Sequence, residues 1–439
     1  MIQTSRVGRL AVPRTVPIGA IRAESLALAG VLTLAFVLRV AWAAYSDWQP
    51  ALNDDTYRYD FAARALAEGR GYIGLTGSPS AFWPPGYPLL LAAAYLLLGD
   101  SIWVAQALNI ALGAATVWLI YLIGRRTLGV RPALVGASIV AAFPSLIFFT
   151  AVTLSETAFT FFALLGVYLL LRESQREEGR DRPLLLAAGL VIGFAALIRG
   201  PALLLPLAFV PFWLRSGVSW RPIAGRVAVI AAGIALIVGP WAVRNAIQLD
   251  APVLISTNGG VDFWIGHHEG AVGHGEKADE LVFSHPELST VEREVRTDAD
   301  GFRKGLRWAV THPAQEVALL GQKLFWLYHN DEQGLRWNDA HGGQPFLGDY
   351  VRQGLLNLSN GYYFAVLAFL VLGAPLWLSF RRPGPVLLIS LIVYWTVVHL
   401  AFFTDPRFHA PIMPVVALLA ALPWAVLWSR GDRERSGDQ

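Results

Sequence analysis

Cysteine is absent from all 439 residues of the chain. Disulfides, thiol nucleophiles and Cys-based metal sites are therefore excluded. Charge is also scarce: Asp, Glu, Lys and Arg supply 15% of the residues, against roughly a quarter in a soluble protein. Apolar residues take their place, at 55% of the chain with a mean hydropathy of +0.47. Apolar runs of 15 to 23 residues recur from Ala23 to Trp428, and runs near 20 residues span a bilayer. These features describe an all-α polytopic membrane protein. The net charge of +3 carries little information, because the arginines gather in particular loops.

Arg6, Arg9, Arg14 and Arg22, an apolar run and Ala41-Trp42-Ala43 together imitate a secretory signal. The run from Glu24 to Tyr45 is longer than the usual 7–15-residue signal core, so it reads as an uncleaved first span. Basic loops mark the cytoplasmic side. The clusters are Arg6 to Arg22; Arg125, Arg126 and Arg131; Arg172, Arg176, Arg180 and Arg182; Arg215, Arg221 and Arg226; Arg381 and Arg382; and Arg430, Arg433 and Arg435. All must share one side, so an even number of crossings separates each from the next.

That parity makes the short stretch 84–98 an interfacial helix within one outer loop, 47–100. It also splits 183–214 at Arg199-Gly200-Pro201 into two short spans. Ten spans result, near 24–46, 101–124, 132–149, 156–172, 183–198, 201–214, 223–241, 360–380, 384–403 and 409–429. The expected division is a transmembrane catalytic core over 1–241, an extracytoplasmic segment over 242–359, and C-terminal spans with a short cytoplasmic tail over 360–439. The segment 242–359 holds seven of the nine histidines. Within it, His312 to Tyr328 reads as an amphipathic helix able to lie on the membrane.

The candidate chemical groups all fall toward the outer face. Asn53-Asp54-Asp55 opens the first loop, Glu156 starts a span, and Arg199 sits at the next outer turn. Arg244 follows span seven, His399 ends span nine, and Asp405 and Arg407 precede span ten. Each has a bland alternative. Glu156 could be a helix N-terminal acid beside a capping Ser155 or Thr153. Asp54 and Asp55 could be a solvated pair capping a helix that begins at Thr56. Adjacent helix residues face different ways, so one of the two does chemistry while the other caps or supports it.

Arg199 and Arg407 either snorkel to the interface or hold a lipid phosphate in the guanidinium fork. Arg39, in the outer half of span one, either snorkels or faces the same cavity. His267-His268-Glu269 with His274 suggests a metal cluster, but adjacent histidines rarely ligate one ion and the segment reads as a surface loop. Gly259-Gly260 and the later glycines lack a phosphate-loop pattern, so neither a nucleotide nor a nucleic acid is an expected partner.

Several motifs in this order resemble those of the GT-C glycosyltransferases, specifically the bacterial family 39 group. That group is related to the protein O-mannosyltransferases and to the aminoarabinose transferase that modifies lipid A. The matching elements begin with the acidic motif and its trailing Ala63 to Tyr72 (A-x-x-L-x-x-G-x-G-Y). They continue with Pro84-Pro85-Gly86-Tyr87-Pro88, then Thr153-Leu154-Ser155-Glu156. Thr257-Asn258-Gly259-Gly260 with Trp264-Ile265-Gly266 follows, and Asp405-Pro406-Arg407-Phe408 with Pro411 closes the series. The likeness runs over nearly the whole chain, and it is the order of the motifs that is specific.

The resemblance implies a GT-C fold and an enzyme moving a sugar, hexose or pentose, from a polyprenyl-phosphate carrier at the outer face of the cytoplasmic membrane. It implies a lipid, glycan or protein acceptor. It places the catalytic base on Asp54, with Asp55 beside it, and the second acidic position on Glu156. Some relatives bind a divalent ion near these groups and others need none, so metal dependence stays open. Tyr57, Tyr87, His399 and Asn258 are the further candidates for substrate contact.

The residue types fit this chemistry without the family. Displacing a lipid phosphate from an anomeric carbon needs a base for the acceptor hydroxyl and cations for the departing phosphate. Asp54 suits the first role; Arg199, Arg407 and Arg244 suit the second. A polysaccharide polymerase or ligase, or a lipid-linked glycan transporter, is the alternative. A transporter would place ionisable residues near the bilayer midplane, where this sequence is nearly all apolar.

Overall fold

The computed structural model describes residues 18–52, 54–176, 181–275, 281, 285–339, 345–378 and 382–427. Arg6, Arg9, Arg14, Asn53, Arg180, His341, Arg381 and the tail bearing Arg430, Arg433 and Arg435 lie outside these residues. Among the described residues the chain is helical, with isolated bridges and no sheet. Helix α1 spans Ile18–Tyr45, α2 Asp55–Ala67, α3 Gly86–Leu98, α4 Ile102–Thr127, α5 Val130–Ala141 and α6 Pro144–Phe148. Helix α7 spans Glu156–Ser174, α8 Arg182–Ile198, α9 Val210–Arg215, α10 Trp220–Gln248 and α11 Gly259–Ile265. Then come α12 Thr290–Thr311, α13 Pro313–Tyr328, α14 Gln333–Asp339, α15 Asp349–Leu372, α16 Ala374–Trp377, α17 Pro383–Leu400 and α18 Met413–Ala420.

The chain is a multi-pass membrane protein. Among the described residues seven helices are long and apolar enough to cross a bilayer, and the bent pair Val130–Ala141 with Pro144–Ala151 brings the count to eight if it is one span. Two shorter apolar segments, Arg182–Ile198 and Gly200–Arg215, stand where the fifth and sixth of the ten expected spans fall. The surface agrees: Leu236, Val243, Val371 and Leu97 are 60% exposed or more. Exposed apolar side chains on such helices suit contact with lipid.

Four details differ from the expected spans, each for a local reason. The third span bends by 60°, where Phe143-Pro144 interrupts the helical hydrogen bonds. The sixth is a 3₁₀ helix over Gly200–Phe209 before α9, because Pro201, Pro206 and Pro211 each lack an amide donor. Helix α10 runs on through Arg244 to Gln248 instead of ending at 241. Helix α15 starts at Asp349, eleven residues before the expected 360, since a polar first turn can project beyond the apolar layer.

Lipid does not drive helix association through burial, so close approach at small residues does. A Cβ on Gly189 of α8 would stand 2.4 Å from the Ile230 carbonyl oxygen of α10, and one on Gly233 would stand 2.7 Å from that of Leu186. A Cβ on Gly86 would meet the backbone of Leu197 and Ile198 at 2.7 Å. That contact presses the start of α3 against the end of α8, one residue before Arg199. In the second loop segment, α11 and α12 meet at Gly260, where a Cβ would fall 1.8 Å from the Asp298 carbonyl oxygen. The Gly260 amide donates to the Asp298 side chain at 2.6 Å. Helix α13 exposes Val317, Leu320, Leu324 and Phe325 and buries Leu319, Lys323 and Leu327.

Candidate active site

Helix α2 begins where Asp54 caps it. The Asp54 Oδ1 accepts from the amides of Thr56 (2.8 Å) and Tyr57 (3.1 Å) and from the Thr56 hydroxyl. This meets two of the donors that any helix start leaves open. The other oxygen, Oδ2, is buried without a hydrogen-bond partner. Burial pushes the Asp54 carboxyl above its usual range, against the pull of its cap bonds. Asp55 turns elsewhere: its Oδ2 accepts from Nη1 of Arg407 at 3.0 Å. The adjacent acids thus divide, one onto the helix end and one onto a cation.

The 150–156 turn reaches the same place, since the Thr153 hydroxyl donates to the Thr56 carbonyl at 3.0 Å. Neither Thr153 nor Ser155 caps α7. Ser155 instead accepts from Nε of Arg199 at 2.9 Å, and Glu156 Oε1 accepts from Nη2 of Arg199 at 2.5 Å. Glu156 is 2% exposed. Tyr59 of α2 is buried beside them, and burial raises its hydroxyl to about 12.

Arg199 and Arg407 lie over the same ring. Their guanidinium carbons stand 5.8 and 5.2 Å from the centre of Phe408, and Arg407 also stands 5.1 Å from the centre of Trp337. Asp405 caps the 3₁₀ helix Pro406–Ile412 by accepting the Arg407 amide at 2.9 Å, which fixes where Arg407 leaves the backbone. A guanidinium has five N–H donors. Arg199 spends two of them and Arg407 one on the hydrogen bonds just described, so both keep donors for a further acceptor.

A fourth carboxylate joins from α11. Asp262 accepts from Asn258 Nδ2 at 3.1 Å. Burial pushes its carboxyl up to about 7, with Arg407 and Arg199 pulling it down and Asp55 and Asp298 raising it. Sequence reasoning missed Asp262, although it lies one helical turn after Asn258 in a motif already singled out. It also missed Phe408 and Trp337, the aromatic walls of the arginine pair.

Of the sequence-derived candidates, the structure brings together Asp54, Asp55, Glu156, Arg199, Arg407 and, through Asp262, Asn258. His399 borders the group. Its ring is 5.5 Å from Phe408, and its Nδ1–H donates to the Trp395 carbonyl at 2.8 Å. Tyr57 is partly exposed, with its ring 6.4 Å from Phe61.

Two candidates stand apart from this group. Tyr87 is wholly buried and its hydroxyl bonds to Asn109, so it packs the loop onto α4 and offers a substrate no surface. Arg244 donates to the carbonyls of Ser80 (2.8 Å) and Tyr72 (2.5 Å) and to Asn245 Oδ1 (3.0 Å). It also lies on Trp241, 4.8 Å from the ring centre. It anchors the 72–80 loop to α10 and is not grouped with the other two arginines.

Among the described residues no group of three His, Asp or Glu side chains is placed to hold a metal ion, and Asp55 and Glu156 each face an arginine. His267 stacks on Phe263 and His268 on Trp264. His267 binds the Phe263 carbonyl through Nδ1 (2.7 Å) and accepts from Lys323 at Nε2 (3.1 Å). Both its nitrogens are committed, and burial next to Lys323 lowers it to about 4.

The fold and this cluster define the class: an all-helical, multi-pass membrane protein with the GT-C fold. Residues 83–243 match the family described as dolichyl-phosphate-mannose-protein mannosyltransferase. The archaeal oligosaccharyltransferase AglB from Archaeoglobus fulgidus, solved with an inhibitory peptide and a dolichol-phosphate, shares the fold. Its TM-score is 0.55 at 16% identity, over 93% of this chain and 51% of that one. ArnT from Cupriavidus metallidurans, solved bound to undecaprenyl phosphate, superposes with a TM-score of 0.54 at 14% identity, over 93% of this chain and 60% of that one. The chain thus spans about half to three-fifths of the length of these proteins. Among curated proteins none matches this sequence.

Proposed function

We propose that this protein is a membrane glycosyltransferase. It moves a sugar from a polyprenyl-phosphate-linked donor to an acceptor at the outer face of the cytoplasmic membrane. The observation that carries this is the convergence of Arg199 and Arg407 on Phe408, each paired with a carboxylate. Arginine forks suit a phosphate, and the likeness to proteins solved with dolichol-phosphate and undecaprenyl phosphate supports a lipid-phosphate ligand.

In this mechanism the two arginines bind the donor phosphate and stabilise the charge that builds as it leaves. Glu156 and Ser155 hold Arg199, and Asp55 holds Arg407, so both cations are fixed before substrate arrives. The acceptor hydroxyl attacks the anomeric carbon as the carbon–oxygen bond to phosphate breaks. Polyprenyl phosphate departs with the bonding electron pair, and the hydroxyl proton passes to Oδ2 of Asp54, the oxygen its cap bonds leave unused. A single in-line displacement inverts the anomeric centre.

The test is purified protein in liposomes given a panel of radiolabelled hexosyl and pentosyl polyprenyl phosphates with a membrane extract as acceptor source. Loss of sugar from the lipid with one donor, giving an inverted product, is expected. A product with retained configuration would overturn the single-displacement mechanism.

A further inference from the structure

Two charged side chains inside the bundle each leave one polar atom without a partner, and both line the same small cavity. Arg39, on α1, is 1% exposed. Its Nη1 donates to the carbonyls of Ala35 (2.9 Å) and Ala141 (3.1 Å), and its Nη2 to that of Val140 (3.5 Å). Its Nε–H has no acceptor. Glu156, whose Oε1 takes Arg199, has no donor at Oε2. The cavity beside them measures about 20 Å³ and is also lined by Gly113, Thr116 and Thr160.

Size and chemistry together limit what this space can hold. One water needs roughly 10–15 Å³ on this measure and two to four polar partners. Nothing larger fits in 20 Å³. Arg39 Nε–H offers a donor and Glu156 Oε2 an acceptor. Thr116 and Thr160 donate their hydroxyl protons to the carbonyls of Leu112 and Glu156, which leaves their oxygens able to accept. An arginine inside a span is costly unless it faces a partner, and the only acid lining this cavity is Glu156.

We propose that one buried water bridges Arg39 Nε to Glu156 Oε2, and that Arg39 is a positioning residue for Glu156 and, through it, for Arg199. The relay runs from within α1 to the Ser155–Arg199 edge of the active site. Gly113 keeps the space open: a Cβ there would stand 2.8 Å from Arg39 Nε and 3.0 Å from Thr150 Cγ2.

The relay itself is independent of the proposed reaction; only its consequence for transfer rests on that proposal. The primary test therefore uses no substrate. Thermal unfolding midpoints in detergent are measured for Arg39→Met, Glu156→Gln and the double variant. Coupling through a shared water predicts a double-variant loss clearly smaller than the sum of the single losses. Additive losses would overturn the proposal.

Should Arg39→Met fail to fold, Gly113→Ala replaces it in the same cycle and is expected to be non-additive with Glu156→Gln; additivity there counts equally against the relay. A high-resolution structure is expected to show one water within hydrogen-bond distance of both atoms, and direct contact or an empty cavity would contradict it. In the transfer assay Arg39→Met is expected to raise the donor KM about tenfold, and Arg39→Lys, which keeps the charge, to recover most of it. Failure of that assay together with a coupled thermal cycle would count against glycosyl transfer and not against the relay.

Discussion

The two oxygens of Asp54 carry separable jobs, and substitution can pull them apart. Oδ1 caps α2 through Thr56 and Tyr57, while Oδ2 is the proposed base. Asparagine is as good a cap as aspartate, whereas alanine at such a position costs about 1 kcal/mol. Asp54→Asn should therefore leave the unfolding midpoint within a degree or so of wild type. Asp54→Ala should lower it by a few degrees at most, because about 1 kcal/mol is spread over a protein this large. The base role predicts a different ranking for turnover. A positioned general base contributes about 10² to 10⁴ in rate, which is roughly 3 to 5 kcal/mol of barrier at 1.36 kcal/mol per tenfold. Both variants should then lose at least a hundredfold in transfer from the lipid donor, although only one loses stability. The assay is single-turnover release of labelled sugar, run beside thermal unfolding of the same preparations. Asp54→Asn activity within about threefold of wild type would refute the base assignment and leave Asp54 as a helix cap.

Other outcomes follow from the same geometry. Arg407→Lys keeps the charge but loses the planar fork, which is not a conservative change at a phosphate site; donor affinity measured by titration should fall at least tenfold. Gly260→Ala would place a methyl 1.8 Å from the Asp298 carbonyl oxygen, and overpacking of this kind costs about 1–3 kcal/mol. A lowered unfolding midpoint and reduced activity are expected, and an unchanged midpoint would contradict the tight α11–α12 packing.

Asp262 should give stability a pH slope. Its carboxyl is raised from 3.8 to about 7 in the folded protein, mainly by burial, so the fold binds this proton more tightly than the unfolded chain does. The corresponding stabilisation is complete below the unfolded value and is lost as pH climbs through the folded one. The unfolding midpoint should fall across that window, and Asp262→Asn should flatten the fall. An unchanged slope in the variant would contradict the assignment.

Much of this architecture was legible because the bilayer imposes a length that a sequence cannot hide. A run such as Ile102 to Thr127 reads as a span without knowledge of its neighbours, and Arg125-Arg126 marks its end. The short helix Gly86–Leu98 and the helix break at Arg199 were legible too, through their prolines. What escaped depended on tertiary contacts. Arg244 looks as free in sequence as Arg407, yet it is taken up by the Tyr72 and Ser80 carbonyls some 170 positions away. Tyr87 stands in a proline-rich motif that suggests a surface, but it is buried against Asn109. Asp54 and Asp55 are indistinguishable as letters. The helix start at Asp55 decides which one caps and which one turns to Arg407. Asp262 was hidden for the opposite reason: one acid in a short loop helix carries no signal until α12 and the arginine pair close over it.

In the proposed mechanism Arg199 and Arg407 form the seat of a lipid-linked phosphate. The most direct test is binding of polyprenyl phosphate itself, by titration in detergent or native mass spectrometry, which needs neither the right sugar nor the acceptor. Saturable binding is predicted, falling at least tenfold in Arg407→Gln and in Arg199→Gln while Arg244→Gln retains it. Affinity unchanged in both arginine variants, or lost only in Arg244→Gln, would contradict the account.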